Sequence, residues 1–346
     1  MSLPQCATVG IVANPASGRD IRRLTAKASV FPTVEKANMV QRVLSACGAL
    51  GVARVLMMPD MTGIAAGVKR AVDTHRADEH MPWPVVEFLD MAISESARDT
   101  AVAVQAMVER GVGAIVVLGG DGTHRIVSMH CGEVPIATLS SGTNNAFPDL
   151  REATTTGFAA ALVATGRVPE QHALRRTKRL RVTLGNREEF ALVDACVTSH
   201  QHIGARALWQ PDALRELYVT FAEPHTVGLS AVAGLIHPVG RGEPRGLRVR
   251  FADGASANGV ARVIAPIAPG LFGRLAVLEW ALLEPGVRFE TGHGPGTVAL
   301  DGEREIEFGA GERVAIRLEL DGPRVVDVPQ ALHFAATHRL LFSETN

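Results

Sequence analysis

The sequence predicts an α/β protein: an N-terminal doubly wound parallel-sheet domain followed by a C-terminal antiparallel β-rich domain. Three observations predict it. From residue 8 to residue 165, strand-like apolar runs alternate with helical spacings, the pattern of a parallel sheet covered by helices. Beyond residue 168, short and partly alternating segments follow one another between Gly, Pro and Asn turns, the texture of antiparallel sheet. The chain has 346 residues, more than one core ordinarily supports. The expected divisions are 1–168 for the α/β domain, 169–329 for the β-rich domain, and 330–346 for a C-terminal helix returning to the first domain.

Element by element, residues 8–13 read as a short buried strand. The turn formers Asn14-Pro15-Ala16-Ser17-Gly18 follow it. Helical spacing marks 20–28, and again 34–48, where Gly48 is the expected stop. A strand at 53–58 precedes a helix at 63–74, and a strand at 84–89 precedes a helix at 94–110. The apolar strand 114–118 runs directly into Gly119-Gly120-Asp121-Gly122-Thr123. Thr123 or Asp121 is the expected cap of a helix over 125–130. The strand 135–139 leads into Ser140-Ser141-Gly142-Thr143-Asn144-Asn145, and 155–165 is helical. In the second half, 180–184, 189–197, 247–251, 259–264, 286–290, 296–301, 313–320 and 324–328 read as strands. A helical turn is expected at 211–217 and a helix at 271–283.

Composition narrows the function. With 47% hydrophobic and 21% charged residues and a formal net charge of -1, the chain has no general electrostatic grip for nucleic acid or an anionic membrane. No apolar stretch approaches the ~20 residues of a membrane span, so membrane insertion is not expected. Cys6, Cys47, Cys131 and Cys196 show no CxxC spacing. With no signal-peptide pattern at the start, this predicts buried free thiols and a cytoplasmic location. Lysine occurs only at Lys27, Lys36, Lys69 and Lys178. Cationic phosphate contacts are therefore expected from Arg, and no Gly-Lys-Ser/Thr of a Walker loop is present.

The chemistry concentrates in the three loops that follow strands. In Gly119-Gly120-Asp121-Gly122-Thr123, glycines let backbone amides approach a polyphosphate, and the helix after them adds a positive N-terminal end. Asp121 is the only acid there, suited to hold a cation or take a proton from a hydroxyl. Asn14, Ser17 and Gly18 can meet phosphate with an amide side chain, a hydroxyl and backbone N–H groups. Gly142, Thr143, Asn144 and Asn145 can wrap a nucleotide. In a parallel sheet all three loops emerge on one edge, where ligands bind.

An NPxSG loop, then GGDGT, then a GT-N loop, in this order, resembles the NAD-kinase and diacylglycerol-kinase superfamily. The segment Thr226–Pro238 resembles a worn form of the TPTGSTAY…SAGGPIxHP segment of NAD kinases. Leu300-Asp301-Gly302-Glu303 resembles the DGE of bacterial lipid kinases, where NAD kinases have DGQ. More narrowly, residues 9–24, with Asp20-Ile21-Arg22-Arg23 after the loop, are similar to the AcoX group, NAD-kinase-like proteins named for acetoin catabolism. The resemblance implies phosphoryl transfer from ATP with Mg²⁺ to a hydroxyl acceptor. It implies a phosphate site at Gly119, Gly120, Asp121, Gly122 and Thr123, joined by Asn14, Ser17 and Gly18. Nucleotide contacts would come from Gly142, Thr143, Asn144 and Asn145. Asp121 or Glu303 would act as base, and Asp301 would help hold Mg²⁺. A homodimer or homotetramer is also implied.

NAD is the first-choice acceptor. Departures from the pattern keep two alternatives open. The Asn-Glu pair of NAD kinases is absent, with Val193-Asp194 near the expected place, and Asn145 stands where lipid kinases carry Asp. A lipid or small-polyol kinase is one alternative, and a non-catalytic NAD(P)/ATP-binding sensor is the other. His124 beside the phosphate loop, His293, the pair His200 and His202, and the charge run Arg175-Arg176-Thr177-Lys178-Arg179 are secondary candidates. The charge run reads as a solvated linker more readily than as a binding patch.

Overall fold

The computed structural model describes residues 7–17, 29, 31–75, 82–142, 145–199, 213–252, 259–291, 294–302 and 304–342. The helix expected at 20–28 and the candidates Gly18, Thr143, Asn144, Glu303, His200, His202 and His293 lie outside the described residues.

The first layer of structure is the doubly wound sheet. It comprises β1 (Thr8–Ala13), α1 (Thr33–Ala49), β2 (Arg54–Met57), α2 (Ile64–Thr74), β3 (Val85–Phe88), α3 (Ala97–Glu109), β4 (Ala114–Gly119), α4 (Asp121–His130), β5 (Ile136–Ser140), α5 (Ala153–Ala164) and β6 (Leu174–Arg176). The strand order is β3-β2-β1-β4-β5-β18-β6, where β18 is Arg324–Val326, with parallel pairing through β5. Chain order runs outward from β1 in both directions, so the switch point lies between β1 and β4, where ligands of such sheets sit. The central strands are buried on both faces. Val9, Ile11, Ala114 and Val116 enter one apolar cluster, and Val12, Ile115 and Val117 enter another, as continuous apolar strands between helical layers require.

The second layer comprises β7 (Arg179–Leu184), β8 (Arg187–Ala191), β9 (Asp194–Thr198), β10 (Leu214–Val219), α6 (Leu229–Ile236), β11 (Gly246–Phe251), β12 (Arg262–Ala268), β13 (Leu271–Leu283), β14 (Arg288–Glu290), β15 (Gly296–Leu300), β16 (Arg304–Phe308) and β17 (Ala315–Glu319). These form two antiparallel sheets, β12-β13-β11-β10-β9-β15-β16 and β14-β17-β7-β8. The fold is therefore parallel α/β followed by antiparallel β. The chain then returns: β18 (Arg324–Val326) pairs parallel to β5, and α7 (Val328–Thr337) packs on α5 with Ala331 and Ala335 fully buried.

Four local expectations are corrected. Residues 271–283 are a 13-residue strand, not a helix. Leu, Ala and Glu favour a helix locally, but β11 and β12 flank this segment and take its backbone groups on both sides, so long-range pairing overrides propensity. Residues 214–217 belong to β10 for the same reason, paired with β9 and β11. Residues 324–326 join the first sheet rather than the second, because Val325 registers with Ile136. Gly48 does not stop α1, which continues to Ala49. A Cβ at Gly48 would lie 1.8 Å from the Pro82 carbonyl oxygen, so this glycine serves close packing.

Among the described residues no helix is long and apolar enough to cross a membrane. Cys47, Cys131 and Cys196 are free and buried. Burial pushes the Cys47 thiol up to about 12 and that of Cys131 up to about 11, so neither is a thiolate near neutrality.

Candidate functional site

β1, β4 and β5 are neighbours in the sheet, so the loops after them leave the same edge side by side. Hydrogen bonds join them further. Asn14 Nδ2 donates to Thr123 Oγ1 at 2.7 Å, tying the first loop to the second. Ser141 Oγ donates to Ser17 Oγ at 2.7 Å, tying the third to the first. Asp121 ties the second to the third: its carboxylate accepts the N–H of Ala146 at 3.1 Å and of Phe147 at 2.8 Å. Asn145 Nδ2 donates to Ser140 Oγ at 2.8 Å, closing its own turn. The described candidates of all three loops are thus held in one hydrogen-bonded unit.

Local sequence explains the geometry. β4 ends in two glycines, and both are sterically required. A Cβ on Gly119 would sit 2.6 Å from Thr123 Cβ, and one on Gly120 would sit 2.8 Å from Asn145 Oδ1, below any ordinary contact. Helix α4 starts at Asp121, with Gly120 as its N-cap and no side-chain cap bond. The expected capping by Thr123 or Asp121 is therefore corrected. Both lie inside the first turn, where an acid complements the helix dipole, and their side chains reach across to neighbouring loops instead.

Lys36 is the residue that sequence reasoning missed. It is only 2% exposed, beneath the first loop. Its ammonium donates to the carbonyl oxygens of Asn14 at 3.1 Å, Pro15 at 3.3 Å and Ser17 at 2.8 Å, and to Ser17 Oγ at 2.8 Å. Among the described residues, the cation bonded to this loop is a lysine. A signal was present: Lys36 stands on the apolar face of α1 with Val40, Val43 and Cys47, where a lysine needs a reason to be buried.

His124 offers no charge to phosphate. It is fully buried, with Nδ1 at 2.8 Å from the Gly120 carbonyl oxygen and its ring against Phe147. Burial lowers its pKa to about 4, so the imidazole is neutral at pH 7.

From the second domain, Asp301 reaches the same region. It lies at the start of the β15–β16 turn with φ of 49°, a left-handed conformation. Its carboxylate accepts the N–H groups of Leu192, Val193 and Asp194 at 2.8–3.2 Å and stands 3.8 Å from Arg125 Nε. Burial raises its pKa, opposed by Arg125 and the three amides. This carboxylate is committed to protein donors, which does not fit the Mg²⁺ ligand suggested by the resemblance. Among the described residues no group of three or more His, Cys, Asp or Glu is arranged to hold a metal.

Arg241 completes the frame. Its guanidinium donates to the carbonyl oxygens of Ala146 at 2.5 Å and Phe147 at 2.8 Å, pairs with Glu223 at 3.1 Å and lies over the Phe221 ring. An apolar cluster crosses the junction beside it, joining Ala146 and Phe147 to Leu192, Val193 and Phe221. The segment resembling the worn NAD-kinase motif forms α6. There Ser230 Oγ is buried and donates to the Phe221 carbonyl oxygen at 2.9 Å, which leaves it a packing role.

Comparison with known proteins agrees with this architecture. Residues 9–168 match the ATP-NAD kinase N-terminal domain family, and residues 178–321 match the acetoin catabolism protein X C-terminal domain family. The chain is 46% identical over 341 residues to acetoin catabolism protein X of Cupriavidus necator, covering 97% of this chain and 94% of the relative. Among solved structures, a candidate diacylglycerol kinase from Bacillus anthracis str. Sterne superposes with a TM-score of 0.49 at 11% identity, covering 94% of this chain and 98% of that one. An NAD kinase from Archaeoglobus fulgidus, solved in complex with ATP, superposes with a TM-score of 0.37 at 14% identity, covering 84% and 99%. At such scores neither superposition bears on individual residues.

Proposed function

The chain belongs to the acetoin catabolism protein X family, and from that premise we propose that it is an ATP-dependent phosphotransferase acting on the hydroxyl of a small molecule. The observation that carries the reading is the joining of the three strand-end loops at the switch point through Asn14–Thr123, Ser17–Ser141 and Asp121–Ala146/Phe147. A strand-end loop built of glycines, followed by a helix N-terminus and held rigid, suits the triphosphate of a nucleotide. Such a reaction needs positioning and charge neutralisation more than covalent help from the protein.

The roles we assign are those the family resemblance implies, with Asp121 and Asp301 adjusted to their hydrogen bonds. The backbone of Gly119, Gly120 and Gly122 binds phosphate, with Asn14, Ser17, Gly18 and Thr123 bounding it. Gly142, Thr143, Asn144 and Asn145 meet the nucleotide. Asp121 braces the third loop through its two amides, and so we assign the acceptor proton to Glu303. Asp301 positions the turn that carries Glu303. Magnesium enters only as the counter-ion that accompanies ATP. The acceptor we place first is the ribose 2′-hydroxyl of NAD, in a cytoplasmic homo-oligomer. One observation favours a second reading, a nucleotide-binding sensor: the Asp121 carboxylate already serves two backbone amides.

The deciding experiment is transfer of labelled γ-phosphate from ATP to NAD, glycerol, diacylglycerol or short diols, with Glu303→Gln and Asp121→Ala as controls. Label in NADP that is lost in both variants supports the full reading. Label in another acceptor keeps the mechanism and replaces the substrate. ATP binding without transfer to any acceptor establishes the sensor instead, and absence of both transfer and ATP binding ends both readings.

A further inference from the structure

The charge run at residues 175–179 is not a solvated linker. Lys178 is 5% exposed and Thr177 is 6% exposed. Arg175 and Lys178 line a cleft at the domain junction with Arg241, Phe147, Leu192 and Phe221. The cleft leaves about 10 Å³, close to what one water-sized atom needs.

Three cations converge at this cleft. The Lys178 ammonium donates only to neutral carbonyls, those of Gly240 at 3.0 Å, Glu243 at 2.7 Å and Arg245 at 2.6 Å. Among the described residues no carboxylate stands within ion-pair distance of it. Arg241 has one close partner, Glu223. Arg175 has only Asp327, with Nε 3.9 Å from Oδ2, and its two Nη groups donate no hydrogen bond among the described residues. Of the nearby acids, Asp149 is already paired with Arg151 at 2.9 Å. Burial lowers the pKa of Lys178 to about 8 and lowers that of Arg175, with Arg241 adding repulsion. Glu223 and Glu243 act on Lys178 from a distance, as Glu223 and Asp149 do on Arg175, but among the described residues no carboxylate reaches the Lys178 ammonium or the Arg175 Nη groups, which leaves them to an outside acceptor.

We propose that this cleft binds an oxyanion, a phosphate or carboxylate group. Arg175 is its principal ligand through the free Nη pair, and Arg241 and Lys178 supply the field. Arg175 suits this role because a guanidinium can grip either group with two parallel hydrogen bonds. One anionic oxygen fills the space between the cations, and the rest of the group lies on the solvent side, where the Arg175 side chain is 29% exposed. Phe147 and Leu192 connect the cleft to the loops held by Asp121 and Asp301. The anion is therefore either part of the molecule being processed or a free ion sensed beside it. The inference stands on the cleft and does not require phosphoryl transfer.

The test is calorimetric titration of inorganic phosphate, and separately acetate, into the full chain as wild type, Arg175→Gln and Arg175→Lys. Each is repeated with saturating ATP, and melting temperatures are taken for all three. The expected result is binding by wild type with ATP present, weakened about tenfold or more in Arg175→Gln and only partly restored in Arg175→Lys, which keeps the charge but not the paired hydrogen bonds, with ATP affinity unchanged. If Arg175→Gln does not fold, the comparison of wild type with Arg175→Lys decides, through an altered preference between phosphate and acetate. Equal affinities in all three proteins would mean an adventitious ion only and overturn the proposal, as would no binding of either anion to wild type. Failure of ATP to bind, with Arg175-dependent phosphate binding intact, would sink the proposed function and leave this inference standing. Phosphate that competes with the acceptor in the transfer assay identifies the anion as the acceptor's own group, and phosphate that does not compete identifies a free ion.

Discussion

Asp121 and Arg241, from different domains, grip opposite sides of the same two residues. Asp121 takes the N–H groups of Ala146 and Phe147, and Arg241 gives to their carbonyl oxygens. The third loop is therefore held from both sides. In a double-mutant cycle, Asp121→Asn and Arg241→Gln should each lower stability by ~2 kcal/mol, the scale of charge-assisted hydrogen bonds. Their effects should depart from additivity by at least ~0.5 kcal/mol, since they share one loop. Urea unfolding of the four proteins measures this, and strict additivity would show that the loop is held independently from each side.

Lys36 supplies donors to three carbonyls and a hydroxyl in the first loop. Lys36→Met should remove ~2 kcal/mol of stability by taking the donor from the Pro15 and Ser17 carbonyls, while the Asn14 carbonyl and Ser17 Oγ keep the Ser17 and Ser141 hydroxyls. It should also raise the KM for ATP without changing the KM for the acceptor. Parallel changes in both KM values would place the residue in general stability rather than in shaping the loop.

Arg125 and Asp301 form a buried pair across the domains, with side chains 5% and 0% exposed. Breaking such a pair from one side leaves an uncompensated charge, a loss of ~3 kcal/mol or more. Arg125→Met should show that loss in chemical unfolding. The double variant Arg125→Met/Asp301→Asn should lose less than the sum of the two single variants. A double variant at the full sum would mean that the two groups do not compensate each other.

His124 is neutral in the fold because burial holds its pKa at about 4, below the ordinary 6.5. The unfolded chain binds this proton more readily between those two values, so stability falls as pH drops through that window. Between pH 7 and pH 5 the histidine contributes a loss of ~2 kcal/mol. His124→Gln should therefore show a smaller difference in unfolding free energy between pH 7 and pH 5 by about that amount. Identical differences in the two proteins would show that His124 is not the titrating group.

Much of the first domain was legible because its signals are local. Apolar strands of five or six residues, such as 114–119, alternate with amphipathic helices, and their period needs no knowledge of the rest of the chain. The three loops were legible because Gly119 and Gly120 mark sites where no side chain fits, and because polar turn residues follow buried strands. Lys36 carried a weaker signal, a charge on an apolar helix face. Arg241 carried none. Its partners are backbone carbonyls more than ninety residues earlier, and no pattern around Gly240-Arg241-Gly242 foretells them.

By itself the sequence determined the class of fold, the order of the loops and the family resemblance, because these rest on local periodicity and on contiguous motifs. Only the tertiary structure decided that 271–283 is a strand, that 324–326 returns to the first sheet, that Asp121 and Asp301 each turn their carboxylates to backbone amides, and that Arg175, Lys178 and Arg241 share a cleft. These features depend on which distant backbone groups and charges come together on folding. Spacing along the chain does not encode such proximity, because a hydrogen bond or an uncompensated charge is a property of the assembled interior.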